Sequence, residues 1–273
     1  MIVPSSLIPS YSWWLGINFV LFVPLSVLIF TMPFVPSNYR ASAPASTTAN
    51  NAHALQQGYP LVVVRLMMAY QHLTVCTMTA TALHILLSGA AHFSGQPAGS
   101  FSCGLRLILP GAGAVVFQFW TFVFAFGPWS LVMREDFPSD DKKTKWLIER
   151  LLLRPSCTKH CFFYALMHVQ HTWMPLLPWV EQGLYNVSGT PYAACLEPSL
   201  LDECWAVARY LLAWLAWGLF VWHARKNPPY PMLRTVWRQG TWPLMYGAMV
   251  VLALGAAAAS NTMRQQGEFL VSR

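Results

Sequence analysis

The chain has 273 residues, of which 55% are hydrophobic and 10% charged, and it carries a net charge of +7. Soluble domains carry about 25% charged residues, which excludes an ordinary water-soluble globule. The basic surplus does not point to nucleic acid, because the cations gather in a few connecting segments between long apolar blocks.

A helix that crosses a bilayer needs roughly 20 mostly apolar residues. Six blocks of about that length or more follow one another: Trp13–Met32, Pro60–Leu87, Leu105–Val132, Phe162–Val180, Trp205–Trp222 and Trp242–Ala259. The expected architecture is an all-α integral membrane protein, with six transmembrane helices in one bundle forming a single domain over residues 1–273. The first block lacks a basic leader and is too long for the core of a cleavable signal peptide, so it is expected to remain as a span. Tryptophans 13, 14, 129, 205, 222 and 242 fall near expected span ends, where amphipathic rings favour the membrane–water interface.

Between the first two blocks, residues 36–57 are small and polar with two prolines, a composition that predicts a flexible loop. The 133–161 segment is different. It holds Arg134, Lys142, Lys143, Lys145, Arg150, Arg154 and Lys159, and Ser139 or Asp140 can cap a short amphipathic helix, Lys142–Leu153, stopped by Pro155. A plain charged connector is the alternative. Arg40 in the first loop and Arg225, Lys226, Arg234 and Arg238 in the fifth complete the basic side, whereas the opposite segments hold Arg106, Arg264 and Arg273. Lys and Arg accumulate on the cytoplasmic side, which places loops one, three and five in the cytosol and both termini outside or in a lumen.

The 181–204 loop agrees with that orientation. It has no Lys or Arg, contains the glycosylation pattern Asn186-Val187-Ser188, and holds Cys195 and Cys204, which can pair in an oxidising compartment. Chance occurrence is the alternative for both features, and the six cysteines make no metal spacing.

Polar groups inside the spans carry the chemistry. In the second block Tyr70, Thr74, Thr77, Thr81 and His84 recur at helical spacing and are expected to share one inward face. Most such threonines bond back to their own helix or join helices. In the fourth block His168 and His171 share a face, with Thr172 beside them and Glu181 at the helix end. Thr74 and His171 lie about midway along their blocks, so they can meet across a bundle. A hydroxyl is a weak nucleophile until an adjacent imidazole removes its proton, and ionisable residues within a membrane mark functional sites. Three other readings compete: packed core histidines, a metal centre, and bis-histidine haem ligation using His84, His171 and His223. A metal centre suits the sequence poorly, since the chain has eight histidines and one close pair.

The run "LMHVQHTWMPLLPWVE" resembles the signature of the family of androgen-induced and androgen-dependent TFPI-regulating proteins. In that family a His-x-x-His-Thr run precedes a glutamate ten residues beyond the second histidine, which matches His168, His171, Thr172 and Glu181. The family's Leu-Thr pair in an earlier span matches Leu73-Thr74. The stretch "LPGAGAVVFQFW", with Pro110, Phe119 and Trp120, is similar to its third span, and His223 followed by Tyr230-Pro231 is similar to its fifth-span exit. These islands run in order across roughly residues 70–235. The resemblance implies a membrane hydrolase of fatty-acid esters of hydroxy fatty acids, with Thr74 as nucleophile and His171 as base. It makes His168, His223 and Glu181 supporting residues and calls for no metal or cofactor. The substrate enters from the bilayer, and the setting is a multi-pass protein of the endoplasmic reticulum or plasma membrane. The chain departs from the pattern in its longer 36–57 loop, its enlarged 139–160 segment and its prolines around 175–178. No Gly-x-Ser-x-Gly elbow is present, which excludes a soluble-type serine hydrolase. Thr77 and Tyr70 are the candidate oxyanion donors. The rival from another class is a non-catalytic membrane subunit with the same fold.

Overall fold

The computed structural model describes residues 10–31, 56–70, 72–126, 168–185, 195, 198–225 and 240–271. Nearly all of the 36–57 loop, the 133–161 segment with its expected helix, the Asn186–Ser188 pattern and Tyr230-Pro231 lie outside those residues. Among the described residues all regular structure is helical. The elements are α1 (Tyr11–Thr31), α2 (Leu61–Tyr70), α3 (Leu73–Ser94), α4 (Ser100–Phe126), a π-helical turn (Val169–Trp173) that runs into α5 (Met174–Leu184), α6 (Leu200–Arg225) and α7 (Trp242–Val271).

Among the described residues, four stretches are long and apolar enough to cross a membrane: Leu73–Ser94, Ser100–Gln118, Leu200–Arg225 and Trp242–Gln265. The apolar stretch of α1, Tyr11–Val27, is shorter. The second expected span is not one helix. His72 is extended (φ −94°, ψ 132°), so the chain breaks between α2 and α3. Apolar residues flank the polar Tyr70-Gln71-His72 on both sides of this break, which is why averaged composition reads a single span there. The break separates Tyr70 from the threonines with which it was expected to stack, and its carbonyl instead accepts from Trp217 Nε1 at 3.0 Å. At the other end Gly95 (φ 66°) closes α3 in the left-handed conformation that glycine adopts without strain.

The radial arrangement of polarity is that of a membrane protein. Large apolar side chains point outward, including Trp13, Val20, Leu212, Leu244 and Val251, while Asn18, Thr77, Thr81, His84, Glu181, Gln182 and Glu203 are buried. In water this would be an aggregating surface; in hydrocarbon it is the low-energy arrangement, because lipid cannot satisfy polar groups.

At the centre, α4 packs against α3, α5, α6 and α7, while α1 leans on α3. Small residues make that central position sterically possible. A Cβ at Gly111 would lie 2.6 Å from Val207 of α6 and 3.0 Å from the Ala253 carbonyl of α7. One at Gly113 would lie 3.0 Å from Pro175 Cα of α5. The backbones of α5 and α7 and the Val207 side chain of α6 therefore close on Gly111 and Gly113, the usual role of small residues between membrane helices. Around it Met78, Ile85, Val115, Val116, Met174, Leu177, Val207 and Trp214 form the main core.

Polar links tie the other ends of α5, α6 and α7. Glu203 and Arg264 form a buried ion pair, with Arg264 Nη1 donating to Glu203 Oε1 at 3.2 Å and a second, closer contact from Nη2. Arg264 also donates to Ser260 (3.2 Å), whose hydroxyl donates to Gln182 Oε1 at 2.6 Å. Ser199 and Asp202 cap the start of α6 reciprocally: Asp202 N–H donates to Ser199 Oγ at 3.2 Å and Ser199 N–H to Asp202 Oδ2 at 3.1 Å. The disulfide differs from the expected pairing. Cys195 joins Cys103 in the first turn of α4, and Cys204 is a free thiol. Cys204 lies on α6 and is held by that helix, whereas Cys103 and Cys195 flank the same end of the bundle.

Candidate active site

Thr74 occupies the first turn of α3 immediately after the chain break. The Val75 and Cys76 amides donate back to the His72 carbonyl at 3.1 and 3.2 Å. The nucleophile candidate therefore stands at a helix N-terminus, where first-turn amides and the helix dipole favour negative charge. This is not the mid-helix position that a single unbroken span implied.

His171 comes from the π turn, whose origin is local. Pro175 has no N–H to give the His171 carbonyl, and its ring would collide with that carbonyl in a regular helix. The chain responds by widening, so that Met174 N–H bonds five residues back to the Val169 carbonyl. Pro175 is in turn fixed against Gly113 of α4. His171 is thus carried on a local distortion wedged against the centre of the bundle, and it is 5% exposed. Thr74 Oγ1 lies 3.4 Å from His171 Nε2, joining residues 97 apart in the chain. The contact is longer than an optimal hydrogen bond, as catalytic contacts often are before substrate tightens them.

The other expected site residues divide. His168 stays local, its Nδ1 lying 3.2 Å from Thr172 Oγ1. Glu181 lies in the last turn of α5, as expected, one level away from His171. Its two oxygens meet His84 Nε2 at 2.7 Å and the Tyr11 hydroxyl at 2.8 Å. His84 and Glu181 are also 97 residues apart, so α3 and the 169–184 helix run alongside in register, with two polar pairs ten residues apart. At 1.5 Å per residue the two levels are separated by about 15 Å. All three members of the second level are buried: His84 1%, Glu181 3% and Tyr11 8% exposed. The guanidinium of Arg106, itself buried, lies close enough to Glu181 to add to the field holding its charge. Tyr185, just beyond α5, packs on Tyr11 and Trp14. Burial, then the Glu181 charge, pushes its phenol above the usual range, so it remains neutral.

His223 lies apart from both pairs. It stands exposed on the last turn of α6, and among the described hydrogen bonds none joins it to Thr74 or His171. Of the three histidines weighed for a haem axis, His84 faces Glu181 and His171 faces Thr74. Among the described residues no group of three His, Cys, Asp or Glu side chains converges as a metal site.

Of the two candidate oxyanion donors, Tyr70 belongs to the separated helix α2, while Thr77 sits one turn above Thr74, its hydroxyl 3.2 Å from that of Tyr210 on α6. Thr79 and Thr81 bond back to the carbonyls of Val75 and Thr77 at 3.0 and 2.9 Å. Sequence reasoning singled out His84 but gave it no carboxylate partner, and it missed Tyr11, Tyr210 and Arg106. The equal 97-residue offset of the two pairs was the available signal.

No family model, no curated protein and no solved structure matches this chain. The site therefore stands on its own geometry.

Proposed function

We propose that the chain is a six-span membrane hydrolase of lipid esters in which Thr74 is the nucleophile and His171 the general base. The observation that carries this reading is the approach of Thr74 Oγ1 to His171 Nε2, 3.4 Å apart, at the N-terminus of α3. The islands that resemble the androgen-induced protein family support it and suggest fatty-acid esters of hydroxy fatty acids as substrates.

In this mechanism His171 is a neutral imidazole with Nε2 unprotonated. It takes the Thr74 hydroxyl proton as Oγ1 attacks the ester carbonyl. Negative charge then develops on the carbonyl oxygen beside the first turn of α3, where amides and helix dipole favour it. Collapse breaks the ester C–O bond, and the imidazolium returns its proton to the departing alcohol. Water, deprotonated by the same imidazole, then cleaves the acyl-threonine and releases the fatty acid. The substrate is supplied laterally from the bilayer.

The Cys103–Cys195 disulfide and the distribution of Lys and Arg both support an orientation with the α3–α4 connection outside or lumenal, as in the endoplasmic reticulum or plasma membrane. Labelling with a fluorophosphonate is the direct test. Wild type should react, and Thr74→Ala and His171→Ala should not. Equal labelling of all three proteins would remove the enzyme reading and favour the non-catalytic subunit.

A further inference from the structure

Glycine inside a helix weakens it relative to alanine, so a helical glycine calls for a steric reason. Gly111 and Gly113 have one, since neighbouring backbone occupies the space of their missing side chains. Gly16 of α1 and Gly89 of α3 do not: a Cβ at either position meets nothing within 4 Å. Both line the same groove between α1 and α3, with Phe19, Ile85, Leu86 and Phe93 forming its walls. The two glycines hold space open between helices instead of drawing them together.

A polar pair lies just beyond one end of the groove. Ser12, Gly16 and Phe19 share a stripe of α1 at i, i+4, i+7, and Ile85, Gly89 and His92 share the matching stripe of α3. At the outer end of both stripes Ser12 Oγ lies 2.9 Å from His92 Nε2. Whichever of the two donates, the pair keeps hydrogen-bonding capacity for a third group. Residues 10–20 and 85–100 contain no Lys, Arg, Asp or Glu. A phosphodiester head would call for a cation at this end; a carboxyl group is served by a hydroxyl and an imidazole. The groove volume is about 280 Å³, at the lower limit of small-molecule pockets (about 300–1,000 Å³), which suits one acyl chain and not two.

We propose that the α1–α3 groove is a binding site for a free long-chain fatty acid, its chain lying over Gly16 and Gly89 and its carboxyl group at Ser12 and His92. The site does not depend on the hydrolase reading. It is separated from Thr74 along α3 by about 15 residues, or roughly 22 Å.

The test uses the full chain in lipid–detergent micelles with a diazirine-bearing long-chain fatty acid. The expected photolabel lies on peptides from 10–31 and 73–94. Gly16→Leu and Gly89→Leu should each lower labelling about tenfold, a loss of about 1.4 kcal/mol in binding. Gly16→Ala and Gly89→Ala act in the same direction with smaller effect, and they decide the matter where a leucine variant does not fold. The Ser12→Ala/His92→Ala double variant should weaken labelling and abolish the advantage of the free acid over its methyl ester as competitor. Thr74→Ala should label as wild type, which separates this site from the proposed reaction. Unchanged labelling in the glycine variants, or equal labelling of these peptides by a diacyl phospholipid probe, overturns the proposal.

Discussion

The interface between α3 and the 169–184 helix carries two polar pairs in the same register, and they are built in opposite ways. The His84–Glu181 pair is short, buried and completed by Tyr11. The Thr74–His171 pair is longer, half-buried on one side, and carried by a chain break and a π turn. A buried hydrogen-bonded pair holds together because separating it leaves polar atoms unsatisfied in a low-dielectric interior. A nucleophile and its base need room for a third group, so a closed pair would be inert. The upper level is a short, closed contact; the lower level is longer and carried by local irregularity.

The largest effect expected from breaking this comparison is chemical. Thr74→Ala or His171→Ala should reduce ester turnover by about 10³-fold or more while the helical circular dichroism and thermal midpoint stay near wild type. A matching loss of fold would mean that the lower pair, too, is structural. Next comes Glu181→Ala, which leaves His84 and Tyr11 facing a void where their carboxylate was. It should cost about 3 kcal/mol of stability, read as a lowered melting point or denaturant midpoint, with turnover per folded molecule retained. Glu181→Gln keeps hydrogen bonding and should cost less.

Gly113→Val tests how the lower pair is held. The added side chain meets Pro175 at backbone distance, so relief must move the π turn and His171 with it. An overpacking cost of about 1–3 kcal/mol is expected, together with a fall in turnover that Gly111→Val, directed at Val207 and Ala253, should not reproduce beyond its effect on stability. The smallest effect is that of Tyr210→Phe. It removes one hydroxyl contact to Thr77 and should cost about 1 kcal/mol. A fall in kcat far larger than that, with stability unchanged, would make Tyr210 a participant in the reaction.

Much of this was readable in the chain. Block hydrophobicity predicts a helical membrane bundle, and the inward stripe of α3 facing a histidine helix brings Thr74 to His171. What failed did so for local reasons. The break at His72 falls at the polar trio Tyr70-Gln71-His72, which the apolar runs on both sides outweigh when hydrophobicity is averaged over a span. Glu181 was tied to His171 by proximity along one helix, but a side chain's partner depends on the facing helix, where His84 was already at the same offset. Cys195 was matched to the nearer Cys204 when the partner able to reach it sits on α4, 92 residues away. His223 has the helical surroundings of a core residue and the wrong azimuth.

The π turn also has an evolutionary reading. A helix that gains one residue without losing its continuation must bulge, and the bulge turns everything before it by about 100° relative to everything after it. Val169–Trp173 is such a bulge, lying between the proline-anchored part that carries Glu181 and whatever precedes His168. One residue more or fewer in this turn would re-aim His171 while the His84–Glu181 pair downstream kept its address. The direction of that side chain is thus adjustable without rebuilding the core.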